Sequence, residues 1–194
     1  MKPKTGIKVL RNGSSFHGGY FKWSLPTQDK DGKWTPGEWT PPVKPVVCSS
    51  GYHLTTMPTE WWDSDNECVA YLVEYKGRVD GLPVLKDSKG KFAVEKCRLL
   101  RPLTPGELAR HRIYTKGTHS IIVSRGKTAI VSGDAVLYCH GSGRVLAYDR
   151  SQIFAHENVS VVYRRGDKVK TYSRGSGLDG WSFVDGKWVK ARKK

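Results

Sequence analysis

Long apolar runs are missing from this chain of 194 residues, and none approaches the length that a membrane-crossing helix needs. The N-terminal stretch Met1-Lys2-Pro3-Lys4-Thr5 lacks the apolar core of a signal peptide, so a soluble, cytoplasmic protein with no membrane partner is expected. Cysteine is scarce: Cys48, Cys68, Cys97 and Cys139 are widely spaced, with no CxxC pair of the kind a zinc site uses. Two disulfides are arithmetically possible, but nothing points to export, so free and mostly buried thiols and no metal are expected. Nucleotide and hydrolase signatures are also missing: there is no GxxxxGK(S/T), no strand-anchored GxGxxG, no GxSxG and no HExxH. Acidic residues number only 18 and are scattered, which leaves no basis for the paired carboxylates of glycoside hydrolysis.

What is present is a rhythm. Val136-Leu137-Tyr138, Val145-Leu146-Ala147, Ile153-Phe154-Ala155, Val161-Val162-Tyr163 and Val169-Lys170-Thr171 recur after one step of nine residues and three of eight. Gly, Ser, Asn and Asp fill the breaks between them, at His140 to Gly143, Asp149 to Ser151, Glu157-Asn158 and Arg165 to Asp167. A β-branched residue at fixed phase with such punctuation predicts strand-turn-strand repetition, either a solenoid or a meander. Val136, Val145, Ile153, Val161 and Val169 share one phase and are expected to be buried and stacked. Trp181 to Val184 and Lys187 to Val189 flank Asp185-Gly186 and predict a terminal hairpin ahead of a basic tail.

The first hundred residues carry no such period. Gly6 to Leu10, Val69 to Tyr75, Phe92 to Val94 and Cys97 to Leu100 read as strands, and Leu25 to Pro45, with five prolines, as a long loop. Two short helices are expected, one over Met57–Asp65 and one opened by Thr104 as N-cap with Glu107 completing a capping box. The fold class expected is therefore α+β and β-rich: an N-terminal α+β module over residues 1–112, followed by a short octad-repeat β array over 113–194.

Charge supplies the second signal. Lys and Arg number 33, for a net +15, and residues 160–194 hold ten basic against three acidic side chains. Such a field attracts nucleic acid or another polyanion. Rings alternate with cations along the octads, which points to base stacking combined with phosphate contact. The residues expected to carry it are Tyr148, Arg164, Arg165, Lys168, Lys170, Tyr172 and Arg174, with Tyr148 and Tyr172 the exposed rings. Packing of the rings between rungs is the alternative.

Cys48-x-x-Gly51-Tyr52-His53-Leu54, then Trp61-Trp62, the strand Val69 to Tyr75 with Gly77, and Arg98-Leu99-Leu100 resemble an uncharacterised family of phage and prophage proteins. Its members share a C-x-x-G-(L/F/Y)-H core, and several carry C-terminal octads like Val145-Leu146-Ala147-Tyr148-Asp149-Arg150-Ser151. Trp23-Ser24-Leu25-Pro26 and Pro36-Gly37-Glu38-Trp39 are also similar to that family. The resemblance implies phage origin and supplies no reaction. With the charge, it implies a non-enzymatic, phage-type accessory protein that contacts nucleic acid through its basic C-terminal half and needs no cofactor. A virion or assembly protein is a further possibility.

Phe16-His17-Gly18-Gly19 and Gly51-Tyr52-His53-Leu54-Thr55 also resemble, more distantly, the first two motifs of the ADP-ribosyltransferase core. That resemblance implies an enzyme or relic that binds NAD, with His17 and His53 lining one cleft. His53 stands where the family has tyrosine. Glu95 is the nearest counterpart of its later glutamate, with Glu74 and Asp80 as rivals.

Overall fold

The computed structural model describes residues 4–15, 21–62, 68–81, 90–163, 168–174, 181–184 and 187–190. Among the described residues no helix is long and apolar enough to cross a membrane. The chain divides into two compact units, Met1–His111 and Arg112–Lys194.

The first unit is a small antiparallel barrel rather than an α+β module. Four strands close on one another in the order β1 (Lys4–Arg11), β4 (Tyr52–Thr55), β6 (Lys91–Pro102) and β5 (Cys68–Asp80). Two stubs, β2 (Thr27–Gln28) and β3 (Trp34–Thr35), pair within the proline-rich loop. The expected α layer fails for want of length. Among the described residues, 57–62 contribute a four-residue 3-10 turn, Pro58–Trp61, while the rest of the helix expected over Met57–Asp65 lies outside them, and the Thr104–Glu107 capping box opens an α1 of six residues, Pro105–Arg110. Neither covers a sheet face, so the sheet buries its apolar side by curling on itself. Leu10, Leu54, Tyr71, Val73, Phe92, Val94 and Leu99 fill the interior with Trp23. On β6 the core positions are Phe92 and Val94, then Cys97 and Leu99. That change of parity coincides with a register shift against β5 between Lys76 and Val79, the bulge that lets two long strands bend.

The proline-rich segment is an ordered strap. Beyond Val94, where β4 stops, it lies along the edge of β6: Gly37, Thr40 and Val43 amides donate to the carbonyls of Leu99, Cys97 and Glu95 at 2.9, 2.9 and 3.0 Å. Prolines are compatible with this role, because a strap needs only an occasional amide and gains from restricted φ. At Gly37 a Cβ would stand 2.0 Å from the Ser24 carbonyl oxygen, so the crossing admits no side chain.

The second unit is a parallel β-solenoid of two sheets. One sheet runs β8 (Thr118–Val123), β10 (Val136–Gly141), β12 (Gln152–His156) and β14 (Lys170–Arg174). The other runs β7 (Ile113–Tyr114), β9 (Thr128–Val131), β11 (Arg144–Ala147) and β13 (Ser160–Tyr163). Successive octads alternate between sheets, and each strand pairs in parallel with the strand one full coil earlier. A separate antiparallel hairpin joins β15 (Trp181–Val184) to β16 (Lys187–Lys190). The parallel direction excludes the meander.

Val145 and Ile153 are fully buried as the rhythm requires, but Val136, Val161 and Val169 are only partly covered. In the first sheet the buried row is Leu137–Ile153, continued in register by Thr171, while Val136 pairs with Gln152 in the outward row. A slip of one residue reverses the face of a strand, which is the error at Val136. At the corner after β10, a Cβ on Gly143 would meet the Ser124 and Lys127 carbonyl oxygens at 2.6 and 2.8 Å, so only glycine allows adjacent coils to stack there.

Candidate functional site

Two regions bring chemistry-bearing side chains together, one in each unit. In the barrel, His53 sits on β4 behind a tight turn at 47–49. Its Nε2 accepts a hydrogen bond from the Cys48 amide at 3.0 Å, and the Val46 backbone lies close enough to act on the ring. The ring is therefore neutral and committed to shaping the turn. Burial pushes its pKa down to about 4, and the ammonium groups of Lys91 and Lys8 add to the effect. The sign follows from linkage: between 6.5 and 4 the unfolded chain takes up a proton that the folded one refuses. Stability should accordingly fall as pH drops through that window, by about 1–2 kcal/mol once the partial exposure of the ring is allowed for. A His53→Gln variant, which keeps an acceptor for the Cys48 amide, should show a flatter urea midpoint between pH 7 and 4 than the parent chain.

The carboxylate proposed to accompany His53 faces elsewhere. Glu95 Oε2 accepts from the Arg78 amide at 3.0 Å and tightens the bend that Gly77 makes in β5. Of its rivals, Glu74 is paired with Arg98 at 2.8 Å and Asp80 accepts from the Val47 amide at 2.6 Å. All three carboxylates hold the barrel's own backbone or cations. His17 lies outside the described residues, so its convergence with His53 has no geometry to report. Among the described residues no cluster of three or more His, Cys, Asp or Glu side chains is gathered for a metal.

In the solenoid, the outward face of the first sheet carries a ladder of rings. Tyr138 stacks on Phe154 with centroids 4.6 Å apart and planes at 14°, and Phe154 on Tyr172 at 4.5 Å and 8°. In-register parallel pairing generates this, since side chains at one register position repeat at the strand spacing. The consequence for recognition is strict. Phe154 has both faces occupied, so an incoming base meets ring edges there, and Tyr172, the last ring of the ladder, keeps one face outside it. Tyr148 is 6% exposed at a coil corner and offers no ring to a ligand, contrary to the exposure expected of it. His140 and His156 form a second stack beside the ladder, at 4.5 Å and 11°.

At its β14 end this face carries cations as well as a ring. Lys170 and Tyr172 share the outward side of β14, and Arg174 follows at the register position of His156. Alternate residues of a strand lie about 6.6 Å apart, so a cation precedes and follows the ring at that spacing. Lys116, Arg125, Lys127, Arg144, Lys168 and Lys170 are exposed and form no ion pair among the described residues. Arg150 differs, being bound to Asp134 at 2.8 Å in a pair about 70% exposed and of little energetic weight. Arg164 and Arg165 lie outside the described residues. Packing of rings between rungs was legible as an alternative, but which rings stack was not, because stacking depends on register, and only the parallel direction puts Tyr138, Phe154 and Tyr172 in one column. No protein-family model, curated protein or solved structure matches this chain.

Proposed function

We propose that the protein is an accessory protein, of the phage type its motifs resemble, that contacts nucleic acid through the solenoid. The observation that carries this reading is the outward face of β14, where Lys170, Tyr172 and the register position of Arg174 alternate cation, ring and cation. Charge supports it: residues 112–194 hold sixteen Lys and Arg against six Asp and Glu. Exposed cations without carboxylate partners give up little when they meet phosphate, and counterion release then drives binding. The end of the ladder, where no further ring stacks on Tyr172 among the described residues, favours single strands, whose unstacked bases can add to the column.

Affinity for a short oligonucleotide should fall steeply between low and physiological salt with little sequence preference. Each phosphate contact adds about 0.9 to the log-log salt slope on duplex DNA and about 0.7 on single strands. Replacing Arg164, Arg165, Lys168 and Lys170 with Gln should flatten that slope by up to about 3 on single strands, as measured by fluorescence anisotropy. Tyr172→Ala should weaken single-strand binding by about 1–3 kcal/mol and leave duplex binding nearly unchanged. Failure of the protein to be retained on heparin or single-stranded DNA at low salt would overturn the reading and favour a virion or assembly role.

A further inference from the structure

The barrel wall has a split seam. β1 pairs with β5 over all eight of its residues but shares with β4 only the pair Ile7 and Thr55. Past that pair the strands diverge and leave a cavity of about 40 Å³, lined among others by Lys8, His53, Thr55, Trp61 and Lys91. A side chain bridges the gap in place of the ladder: Lys8 Nζ donates to the His53 carbonyl at 3.1 Å. Lys91, opposite Thr55 on β6, stands at the other side with its ammonium 5.1 Å from the Trp61 ring centroid and 3.6 Å from Cys48 Sγ.

Two ammonium groups thus share one cleft, and among the described residues no Asp or Glu lines it. Neither lysine forms an ion pair among the described residues. The two repel: burial lowers the Lys8 pKa to about 8, and the charge of Lys91 contributes in the same direction. His53, kept neutral by the same surroundings, adds no charge and has its Nε2 already engaged. Half-buried like charges without a counter-charge cost stability, and such an arrangement is relieved when a ligand supplies the anion.

We propose that this seam is a binding site for a phosphate dianion, either free or as the head group of a monoester, held between Lys8 and Lys91. The charge argues for the dianion, because two cations are matched by phosphate at neutral pH and only half matched by a carboxylate. The volume argues for a head group alone: about three water-sized spaces accommodate a phosphoryl group, and the remainder of an ester would lie outside. The site belongs to the barrel and does not depend on the solenoid face proposed for nucleic acid.

Isothermal titration of the full chain with inorganic phosphate, and in parallel with glycerol phosphate, tests it against sodium chloride at matched ionic strength. Saturable one-to-one binding is expected. Lys8→Met and Lys91→Gln should each weaken it by about tenfold or more, the loss of one charge-assisted contact, whereas Lys168→Gln with Lys170→Gln should not. Affinity should fall about tenfold per pH unit above pH 8, as Lys8 in the free protein gives up the proton that the complex needs. Tighter binding of glycerol phosphate identifies a monoester as ligand, and equal binding identifies phosphate itself; both sustain the site. A response reproduced by chloride, or one unchanged in Lys91→Gln, whose partly exposed side chain can be replaced without disturbing the core, overturns it.

Discussion

Ile153→Ala is expected to destabilise the solenoid by about 3 kcal/mol, with Ile153→Val costing about 1 kcal/mol. Ile153 is fully buried and stands in register between Leu137 below and Thr171 above, so truncation removes packing from two coils at once. Thr171 is exposed and cannot close over the space. In a stacked array each coil is stabilised by its neighbours, so the loss should spread along the coil axis. Hydrogen exchange should show protection falling in β10 and β14 as well as in β12, while the barrel amides stay protected. A loss below about 0.5 kcal/mol, or exchange confined to β12, would mean that this row is not the interior.

Replacing Lys8 is expected to act in the opposite direction. Lys8→Met should raise the stability of the barrel at pH 7 by about 2 kcal/mol. The folded-state pKa of Lys8 is about 8 against an ordinary 10.5, lowered chiefly by burial. Each unit corresponds to about 1.4 kcal/mol, which the hydrogen bond to the His53 carbonyl partly offsets. The sign is fixed by linkage: between pH 8 and 10.5 the unfolded chain holds a proton that the folded chain has released, so stability of the parent rises across that window. Below pH 8 the whole penalty is present. Urea titrations from pH 7 to 10.5 should therefore show the gap between Lys8→Met and the parent closing as pH rises. A variant less stable than the parent at pH 7 would mean that the ammonium supports the fold. A gain accompanied by loss of phosphate binding is the trade that a ligand site exacts from its scaffold.

The period of the second unit was legible because its cause is local. An apolar residue every eight positions and turn residues between them are dictated by strands that all meet the same environment. The phase was not fully legible. With Leu137 in place of Val136 the steps become eight throughout, yet both residues are apolar and the β-branched Val136 is the better strand former, so only the parallel partner shows which is inside. At the far end, the register position of Ile153 passes to the exposed Thr171 rather than to Val169, because 18 residues rather than 16 separate Ile153 from its partner. The barrel was less legible still. Its strands were recognisable at Val69 to Tyr75 and Cys97 to Leu100, but closure depends on pairings such as Lys4 with Tyr75 and Tyr52 with Val94, which no local pattern encodes. The helical signal at Thr104 opens a helix of six residues, and that near Pro58 gives a four-residue 3-10 turn among the described residues. For the candidate site, His53 stood out by its neighbours in sequence, whereas Lys8 and Lys91 are unremarkable residues until the seam brings them together.

Register positions in the first sheet, Thr118, Val136, Gln152 and Lys170, are separated by 18, 16 and 18 residues, and in the second sheet Thr128, Arg144 and Ser160 by 16 and 16. Two octads therefore make one coil, and this sets the increment by which such a unit can change length. Removing a single octad would transfer every later strand to the opposite sheet. Tyr172 would then leave the column of Phe154, and with Lys170 it would appear on another side. Removing sixteen residues deletes one coil and leaves the columns aligned. Natural size variants of this architecture are expected to differ by whole coils, with odd numbers of octads gained or lost only where the displaced face has no role.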